Sequence, residues 1–335
     1  MRKSAFFAGI IICFCAAGIV WAGGEPRKAI PKSLKKYALP YVITSSGSYY
    51  LAGNRLCDTN GIIVEANNVM IDLRGFSLLG NHNGSGIYMT NKRNVEISNG
   101  TISDFNYGVY DEYASPSTST GHRIIGVRAL SNTQGGIYLG GTRCLVRDCF
   151  VSGNGASNSG TTFGIYAYSV STITANTVCD NGSSGDNVYG IYTASGSILT
   201  GNTVLGNGSS SSGDVYAIYT GGASCIINGN AVYNNGTSAA GLVRGIQASN
   251  GSTVTGNSVY LNGYGSVSGT TGIYISTGCT VIANTVYYNG AGGSGTVYGI
   301  YLGGNDFVNQ NTVYENNGTN MNAPANCTFG DNHAP

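Results

Sequence analysis

The chain repeats a short pattern of glycine, isoleucine, valine and asparagine through most of its length. Each copy opens with a Gly-Ile step or a close variant, and successive steps are 22 to 28 residues apart. The steps begin at Gly61, Gly86, Gly108, Gly136, Gly164, Gly190, Ala217, Gly245, Gly272 and Gly299. A period of this length is typical of solenoids, in which each repeat buries its apolar side only against its neighbours.

Apolar and polar residues alternate between these marks. Ile273 and Ile275 share one side of the segment "GIYI", and Tyr274 takes the other. This period of two predicts short strands, and the segments are too short and too rich in Gly and β-branched residues for helices. Three such segments per repeat predict one coil of a solenoid, with equivalent strands stacked in parallel about 4.8 Å apart.

The alternation also predicts which residues meet inside the solenoid. One inward column consists of Ile165, Ile191, Ile218, Ile246, Ile273 and Ile300. A second consists of Val178, Val204, Val232, Val259, Val286 and Val313. An asparagine ladder at the turns is expected from Asn176, Asn202, Asn230, Asn257, Asn284 and Asn311, because a buried amide needs hydrogen-bond partners. The Asn-Gly pairs that follow, such as Asn181-Gly182, are expected to supply turn residues that tolerate positive φ.

These repeats resemble the right-handed parallel β-helix proteins of the pectin-lyase-like superfamily. The closest likeness is to exported bacterial members with the short repeat "GIxLxxSxxxxIxxNxI", and it extends over about residues 41–318. The opening segments "GSYYLAGN" (Gly47–Asn54) and "GIIVEANNVMIDLRGFSLLG" (Gly61–Gly80) also look like the usual beginning of such chains. The resemblance implies an all-β, right-handed single-stranded parallel β-helix of about ten coils. It implies little about activity, because such repeats serve lyases, hydrolases, epimerases, adhesins and accessory proteins.

The sequence predicts four segments. Residues 1–22 have a charged start, an apolar core and small residues before a cleavage point after Ala22, as in a signal peptide. Residues 23–60 are expected to form a leader and cap, 61–318 the β-helix repeats, and 319–335 a C-terminal cap or tail. We therefore expect a secreted, periplasmic or cell-surface protein with no transmembrane segment after signal cleavage.

Charge and cysteine content exclude several classes of function. The net charge of +1 gives no reason to expect a nucleic-acid partner. The seven cysteines that follow residue 22 are scattered, so they do not form a disulfide framework. Cys144, Cys225 and Cys279 occupy a repeat position that is serine in other coils, and they are expected to be small inward fillers.

Charged residues concentrate in one part of the chain. Residues 61–160 contain fourteen, whereas residues 161–305 contain four. One interval also breaks the rhythm, and a loop is expected near Asp111–Gly121. The candidate catalytic residues are Asp111, Glu112, His122 and Arg123, because carboxylates with a histidine and an arginine can perform acid–base chemistry on a sugar. The alternative is a solvated loop with ordinary surface charges.

No cofactor or metal is predicted. Some relatives in the superfamily assist the maturation of copper enzymes in the periplasm, which makes copper the metal to consider. The chain offers His82, His122 and His333 and few methionines, without a His/Met cluster. The calcium-binding repeat of other solenoids is absent as well.

Tyrosines recur at an outward repeat position. Tyr88, Tyr110, Tyr138, Tyr166, Tyr192, Tyr219, Tyr274 and Tyr301 occupy it, and Gln247 interrupts the series. A second series consists of Tyr233, Tyr260, Tyr287 and Tyr314. Exposed rings in rows can stack on sugars, and the candidate glycan-binding residues are Tyr138, Tyr166, Tyr192 and Tyr219. The alternative is that the rings stack on one another and stabilise the wall.

We therefore expect a glycan-interacting or structural protein of the periplasm or cell surface, with a polysaccharide as the partner. A polysaccharide lyase, hydrolase or epimerase with its site in the region 104–148 is a second hypothesis, and a self-associating adhesin is a third. The sequence leaves open the glycan, the reaction type and the oligomeric state.

Overall fold

The structure is a computed structural model that describes residues 26–38, 40–113, 117–156 and 160–335. Within these ranges every regular element is a β-strand, so none of the described segments is a membrane-spanning helix. Neighbouring strands pair in parallel throughout, which confirms the predicted parallel β-solenoid. The signal peptide predicted at 1–22 lies outside the described residues.

One wall of the solenoid is a 12-stranded sheet, here called the tyrosine sheet, to which each coil contributes one strand. Nine of the twelve strands contain a Gly-Ile step or its variant, and a tenth, Ile62–Val64, begins directly after Gly61. The solenoid has about nine turns, close to the predicted ten coils, and one further strand lies at each end. The strands are Tyr41–Ile43, Ile62–Val64, Ser85–Thr90, Tyr107–Glu112, Gly135–Leu139, Thr162–Ala167, Val188–Thr193, Val215–Thr220, Val243–Ala248, Gly269–Ile275, Thr296–Tyr301 and Thr319–Asn322.

The remaining wall is a 23-stranded sheet, here called the wide sheet. Its first set of strands is Lys28–Ile30, Gly47–Leu51, Val69–Asp72, Val95–Ser103, Arg123–Leu130, Leu145–Arg147, Thr172–Thr174, Ile198–Thr200, Ile226–Asn228, Thr253–Thr255, Thr280–Ile282, Phe307–Asn309 and Thr328–Phe329. Its second set is Ser33–Ala38, Arg55–Cys57, Ser77–Leu79, Phe150–Ser152, Thr177–Cys179, Thr203–Leu205, Ala231–Tyr233, Ser258–Tyr260, Thr285–Tyr287 and Thr312–Tyr314.

The core consists of the predicted isoleucine and valine columns. Ile165 pairs with Ile191, and Ile191 with Ile218, in register, and all three side chains are fully buried. Burying each such side chain contributes about 1.5–3 kcal/mol. The glycine of the Gly-Ile step is needed for this packing, because a Cβ on Gly245 would lie 2.6 Å from the carbonyl oxygen of Gly272 in the next coil.

The predicted asparagine ladder is present and buried. The Oδ1 atom of Asn202 accepts hydrogen bonds from the backbone N–H of Asn176 at 3.0 Å and from its Nδ2 at 2.9 Å. The Nδ2 of Asn176 also donates to the carbonyl of Val146 at 3.0 Å. Each amide therefore connects three coils, which satisfies a group whose burial alone would be costly.

The asparagines of the Asn-Gly pairs form a second ladder, which the sequence analysis did not predict. They are Asn181, Asn207, Asn235, Asn262 and Asn289, all fully buried, and Asn154 precedes them in the same column. The positive φ predicted for these pairs is found at their glycine, as at Gly182, and the residue before the asparagine, Asp180, adopts it as well. The pair thus combines a buried amide with a left-handed glycine.

A third polar column contains the cysteines predicted as inward fillers. Cys144, Cys225 and Cys279 are buried free thiols, and serines occupy the same column in the intervening coils. The hydroxyl of Ser171 accepts a hydrogen bond from the backbone N–H of Cys144 at 3.2 Å. His122 occupies this column one coil before Cys144, where it accepts a hydrogen bond from the backbone of Val95.

The ladder makes a prediction about stability. Asn207→Ala removes the acceptor of both the backbone N–H and the Nδ2 of Asn181, so buried donors lose their partners. We expect a loss of about 3 kcal/mol or more in the free energy of unfolding. The control is Asn250→Ala, because Asn250 is exposed and its side chain accepts one hydrogen bond, from the backbone N–H of Thr277. Its cost should stay below about 1 kcal/mol. Equal losses in urea denaturation would contradict the ladder's role.

Candidate functional site

The outward face of the tyrosine sheet carries two adjacent rows of aromatic residues. The first row is the predicted one, Tyr88, Tyr110, Tyr138, Tyr166, Tyr192, Tyr219, Tyr274 and Tyr301, with Gln247 in register between its last members. The second row consists of Tyr107, Phe163, Tyr189, Tyr216 and Tyr298. All of these rings are partly buried, so they form part of the wall and still reach solvent.

The second row was missed because strict alternation does not hold at the Gly-Ile step. Phe163 precedes Tyr166 by three residues, an odd number that should place the two rings on opposite faces. The structure instead has two consecutive buried residues, Gly164 and Ile165, between them. This break resets the alternation, and both rings lie on the outward face. The repeated segments "FGIY", "YGIY" and "YAIY" contain the signal.

Rings of the same row stack face to face along the solenoid. The ring centroids of Tyr138 and Tyr166 lie 4.2 Å apart at an interplanar angle of 6°, and those of Tyr166 and Tyr192 lie 4.8 Å apart at 12°. Rings of different rows meet edge to face in the middle of the rows, as in Phe163 and Tyr166 at 77°, whereas Tyr107 and Tyr110 at the N-terminal end are stacked at 14°. The ring faces are therefore covered by neighbours in the middle of the rows, and ring edges are what a ligand would contact.

Burial keeps several phenols of these rows neutral across the physiological pH range. Burial raises the pKa of Tyr107 and of Tyr189 to about 12. Burial also raises the pKa of Tyr138 and of Tyr192 above the ordinary value. The aromatic surface is therefore polar at its hydroxyls and uncharged along its rings.

The interruption of the first row at Gln247 is filled by a neighbouring side chain. The guanidinium of Arg244 lies 4.1 Å from the ring centroid of Tyr274. It also donates a hydrogen bond to Oε1 of Gln247 at 2.5 Å. A planar cation thus replaces the missing ring, and the aromatic surface continues past this coil as a mixed stack.

A groove of about 320 Å³ opens at the N-terminal end of the rows. Its aromatic lining is Tyr88, Tyr107 and Tyr110, and amide side chains of Asn60, Asn106 and Gln134 complete it. The rings of Tyr88 and Tyr110 are tilted by 38° with centroids 6.1 Å apart, so they are not stacked as in the middle of the rows. This end of the surface combines a cleft, aromatic side chains and a few polar amide groups, as ligand pockets commonly do.

The structure does not bring the four candidate catalytic residues into one site. Asp111 and His122 lie together inside the solenoid, whereas Glu112 and Arg123 lie on two different outer faces. Asp111 lies in register with the core residues Met89 and Leu139 and points inward. Its carboxylate is fully buried and accepts hydrogen bonds from the hydroxyl of Ser119 at 2.7 Å and the backbone N–H of Gly141 at 2.8 Å. Burial raises the pKa of Asp111 to about 6. A polymer outside the solenoid cannot touch this group.

His122 lies beside Asp111 in the interior and is also fully buried. Its Nδ1 accepts a hydrogen bond from the backbone N–H of Val95 at 3.2 Å, which assigns the proton of the neutral ring to Nε2. Nε2 lies 3.6 Å from Oδ2 of Asp111, beyond hydrogen-bonding distance, and it has no hydrogen-bond partner among the described residues. Burial lowers the pKa of His122 to about 4.

Glu112 and Arg123 lie on different outer faces. Glu112 ends its strand on the tyrosine-sheet side, where Oε2 accepts a hydrogen bond from the hydroxyl of Tyr88 at 2.5 Å. This bond raises the pKa of Tyr88 to about 12. Arg123 lies on the wide sheet, paired with Glu96 at 3.1 Å, in a groove of about 440 Å³. Of the four residues, Glu112 alone is close to the aromatic rows.

Comparison with known families gives one match that covers more than half of the chain. A family model described as "Periplasmic copper-binding protein (NosD)" matches residues 58–242. No curated protein sequence matches the chain. The matched range contains seven of the Gly-Ile steps or their variants, from Gly61 to Ala217, and ends just before the coil of Gly245.

Similar solved structures show the same fold. The periplasmic alginate epimerase AlgG, as a double mutant, aligns with a TM-score of 0.60 and 11% identity, covering 88% of this chain and 77% of that one. The A-module of the mannuronan C-5 epimerase AlgE4 of Azotobacter vinelandii has a TM-score of 0.53 and 16% identity, covering 86% of each chain. DFA-IIIase of Arthrobacter chlorophenolicus A6 without its lid has a TM-score of 0.51 and 13% identity, covering 86% and 88%.

The described residues do not fit a copper site. Copper favours clustered histidine, cysteine or methionine ligands. Within the described ranges no three His, Cys, Asp or Glu side chains form a group that could hold a metal ion. The unpartnered Nε2 of His122 has Asp111 beside it, and burial raises the pKa of the Cys144 thiol to about 12, so this thiol stays protonated.

The interior pair predicts opposing effects of pH on stability. Asp111 has a raised pKa in the folded state, so its contribution is complete below pH 3.8 and is lost as the pH rises through about 6. His122 has a lowered pKa, so its contribution is complete above pH 6.5 and is lost as the pH falls through about 4. The two effects should largely cancel between these limits.

Single substitutions should reveal each slope. In Asp111→Asn the histidine remains, and the free energy of unfolding should increase from pH 4 to pH 6 relative to the unsubstituted protein. In His122→Asn the carboxyl remains, and the free energy should decrease over the same range. Urea denaturation at several pH values measures both. Slopes of the same sign in the two variants would contradict the assignment.

Proposed function

The chain belongs to the periplasmic NosD family, and on that premise we propose that it is an exported β-solenoid that binds a glycan along the outward face of the tyrosine sheet. The ligand lies along the solenoid axis, across successive coils. The groove beside Tyr88, Tyr107 and Tyr110 holds one end of it, and the two aromatic rows support the rest.

The observation that carries this proposal is the double aromatic row on one face. The first row continues without interruption from Tyr88 to Tyr219, and Tyr107, Phe163, Tyr189 and Tyr216 lie beside it. Aromatic side chains present an apolar body with a polar tip, which suits a ligand that has both apolar faces and hydroxyls. The spacing of about 4.8 Å between coils is close to the rise of one sugar in an extended glycan.

Ring edges and hydroxyls are the contacts that the middle of the rows can provide. Tyr138, Tyr166, Tyr192 and Tyr219 have neighbours on their ring faces, so a sugar would lie across their edges. This arrangement favours a long, shallow binding surface rather than a deep pocket. The structural neighbours named as epimerases of alginate and mannuronan support a polysaccharide as the ligand class, through their shared fold.

Paired replacement of tyrosines tests the proposal. Tyr166→Ser with Tyr192→Ser removes two adjacent edges of the first row, and we expect at least a tenfold loss of glycan affinity, equivalent to about 1.4 kcal/mol. The matched control is Tyr260→Ser with Tyr287→Ser, because those rings stack equally closely, at 4.9 Å and 7°, on the wide sheet. The Tyr166/Tyr192 pair should lose more stability, because both rings also contact Phe163, so binding is compared under conditions in which both variants are folded. Calorimetric titration with a polysaccharide panel and urea denaturation measure the two effects on the same samples.

The proposal fails if both pairs reduce binding equally, or if neither does. Equal reductions would mean that lost stability, not a lost contact, explains the result. Unchanged binding in the Tyr166/Tyr192 pair would place the ligand elsewhere. A loss of binding confined to the Tyr166/Tyr192 pair, while both variants remain folded, would support the proposal.

Catalysis on the bound glycan is a second candidate function, favoured by the contact between Tyr88 and Glu112. Their hydrogen bond of 2.5 Å lies beside the N-terminal groove. The raised pKa of Tyr88, about 12, keeps its phenol protonated and able to donate, and Glu112 can accept a proton. This pair replaces the four-residue cluster as the candidate acid–base group, because Asp111 and His122 are buried.

Glu112→Gln tests the catalytic candidate. If the chain converts a polysaccharide, this variant should lose at least about a hundredfold in turnover, because the proton acceptor is removed while the side-chain shape is kept. Asp180→Asn is the control, since Asp180 is exposed in a coil away from the groove. Release of unsaturated or reducing ends measures turnover. Full activity in Glu112→Gln would contradict this role.

A further inference from the structure

The charges on the tyrosine sheet specify a class of ligand. We infer that the glycan bound on this face is neutral, without uronate, sulfate or phosphate groups. This inference rests on the proposed function and adds the chemical class of its ligand. It depends on three charged residues near the aromatic rows, Glu112, Asp214 and Arg244, and on the partners that each one has.

The two acidic groups are already engaged. Glu112 accepts a hydrogen bond from Tyr88 at the groove. Asp214 accepts one from the hydroxyl of Tyr216 at 3.0 Å and one from the backbone N–H of Leu242 at 2.8 Å. Both carboxylates add negative charge close to the rows, which opposes the approach of an anionic polymer.

Arg244 is the one cation at an outward position within the described aromatic rows, from Tyr88 to Tyr301. Its guanidinium covers the ring of Tyr274 and donates a hydrogen bond to Gln247, so it is already engaged within the stack of side chains. Other cations nearby lie in the turns that follow the strands. These are Lys92, Arg93 and Arg143. A repeating anionic polymer would need a cation for each charged sugar, and the coils do not repeat one.

The tyrosines cannot compensate for the missing cations. A phenol donates one hydrogen bond and carries no positive charge, and the raised pKa values keep these phenols neutral. If a polyuronate lay against the half-buried rings, its carboxylates would lose part of their hydration and would gain no counter-charge. A neutral sugar loses less hydration and gains ring-edge and hydroxyl contacts. The surface therefore favours a neutral glycan, because it offers ring edges and hydroxyls and does not repeat a cation from coil to coil.

This ligand class differs from that of the structural neighbours. Two of them are named for alginate and mannuronan, which are polyuronates. The fold is shared at 11% and 16% identity, so the ligand charge is free to differ. The charge of the bound glycan thus distinguishes this chain from those epimerases, and binding experiments measure this preference directly.

The test is calorimetric titration of the unsubstituted protein with hexasaccharides. The panel contains neutral gluco-, manno- and galacto-hexasaccharides and a mannuronate hexasaccharide. We expect a neutral member to bind, with an affinity that changes less than about twofold between low and high salt, because no ion pair is screened. The Tyr166/Tyr192 double variant should lose that binding. The mannuronate hexasaccharide should not bind.

A charge substitution in the groove tests the reason for this selectivity. Gln134 is exposed and lines the groove, so Gln134→Lys adds a cation without removing a ring. We expect Gln134→Lys to gain salt-sensitive binding of the mannuronate hexasaccharide. Gln134→Glu is the matched control and should gain none. Absence of a gain in Gln134→Lys would overturn the charge argument.

The outcomes distinguish the two proposals. Binding of a neutral member alone supports both. Binding of the mannuronate hexasaccharide by the unsubstituted protein, with loss in the Tyr166/Tyr192 variant, overturns the neutral ligand and retains the glycan surface. Binding of no member overturns the proposed function and this inference with it.

Discussion

In-register stacking of identical side chains is the interaction on which this structure depends. Each coil places its asparagines, isoleucines and tyrosines directly against their copies in the next coil, as in the pairing of Ile191 with Ile218. A buried amide such as Asn207 finds its hydrogen-bond partners in the neighbouring coils, at Asn181 on one side and Asn235 on the other. A coil that departs from the repeat must therefore supply another partner, as His122 does for the backbone of Val95 and Arg244 does for the ring of Tyr274. In-register stacking forms both the core and the aromatic face.

Most of the fold could be predicted from the sequence because it follows from one period. The parallel sheets, the inward isoleucines and the ladder of Asn176 and its equivalents all follow from a spacing near 27 residues and from alternation. The second aromatic row could not be predicted by alternation, since Gly164 and Ile165 are both buried and reset it. A repeat-by-repeat alignment of "FGIY" with "YGIY" contains that information.

The candidate site was predicted less well because closeness in sequence is not closeness on a surface. Alternation applied to "VYDE" places Tyr110 and Glu112 outward and Asp111 inward, as the structure does. Grouping the charges of this segment ignored that rule. The inward position of His122 was equally difficult to predict from the sequence. It becomes evident only from the strand register, which places His122 in the serine and cysteine column beside Cys144. Glu112 alone remained near the surface that we propose binds a glycan.

The central claim is that the tyrosine sheet is the binding face, and nuclear magnetic resonance of protein carrying ¹³C-labelled tyrosine rings tests it most directly. Titration with a neutral hexasaccharide that binds should shift the signals of Tyr138, Tyr166 and Tyr192, which share that face. The signals of Tyr260 and Tyr287 on the wide sheet should stay in place, although their rings stack just as closely. Shifts confined to Tyr260 and Tyr287, or equal shifts on both faces, would contradict the account.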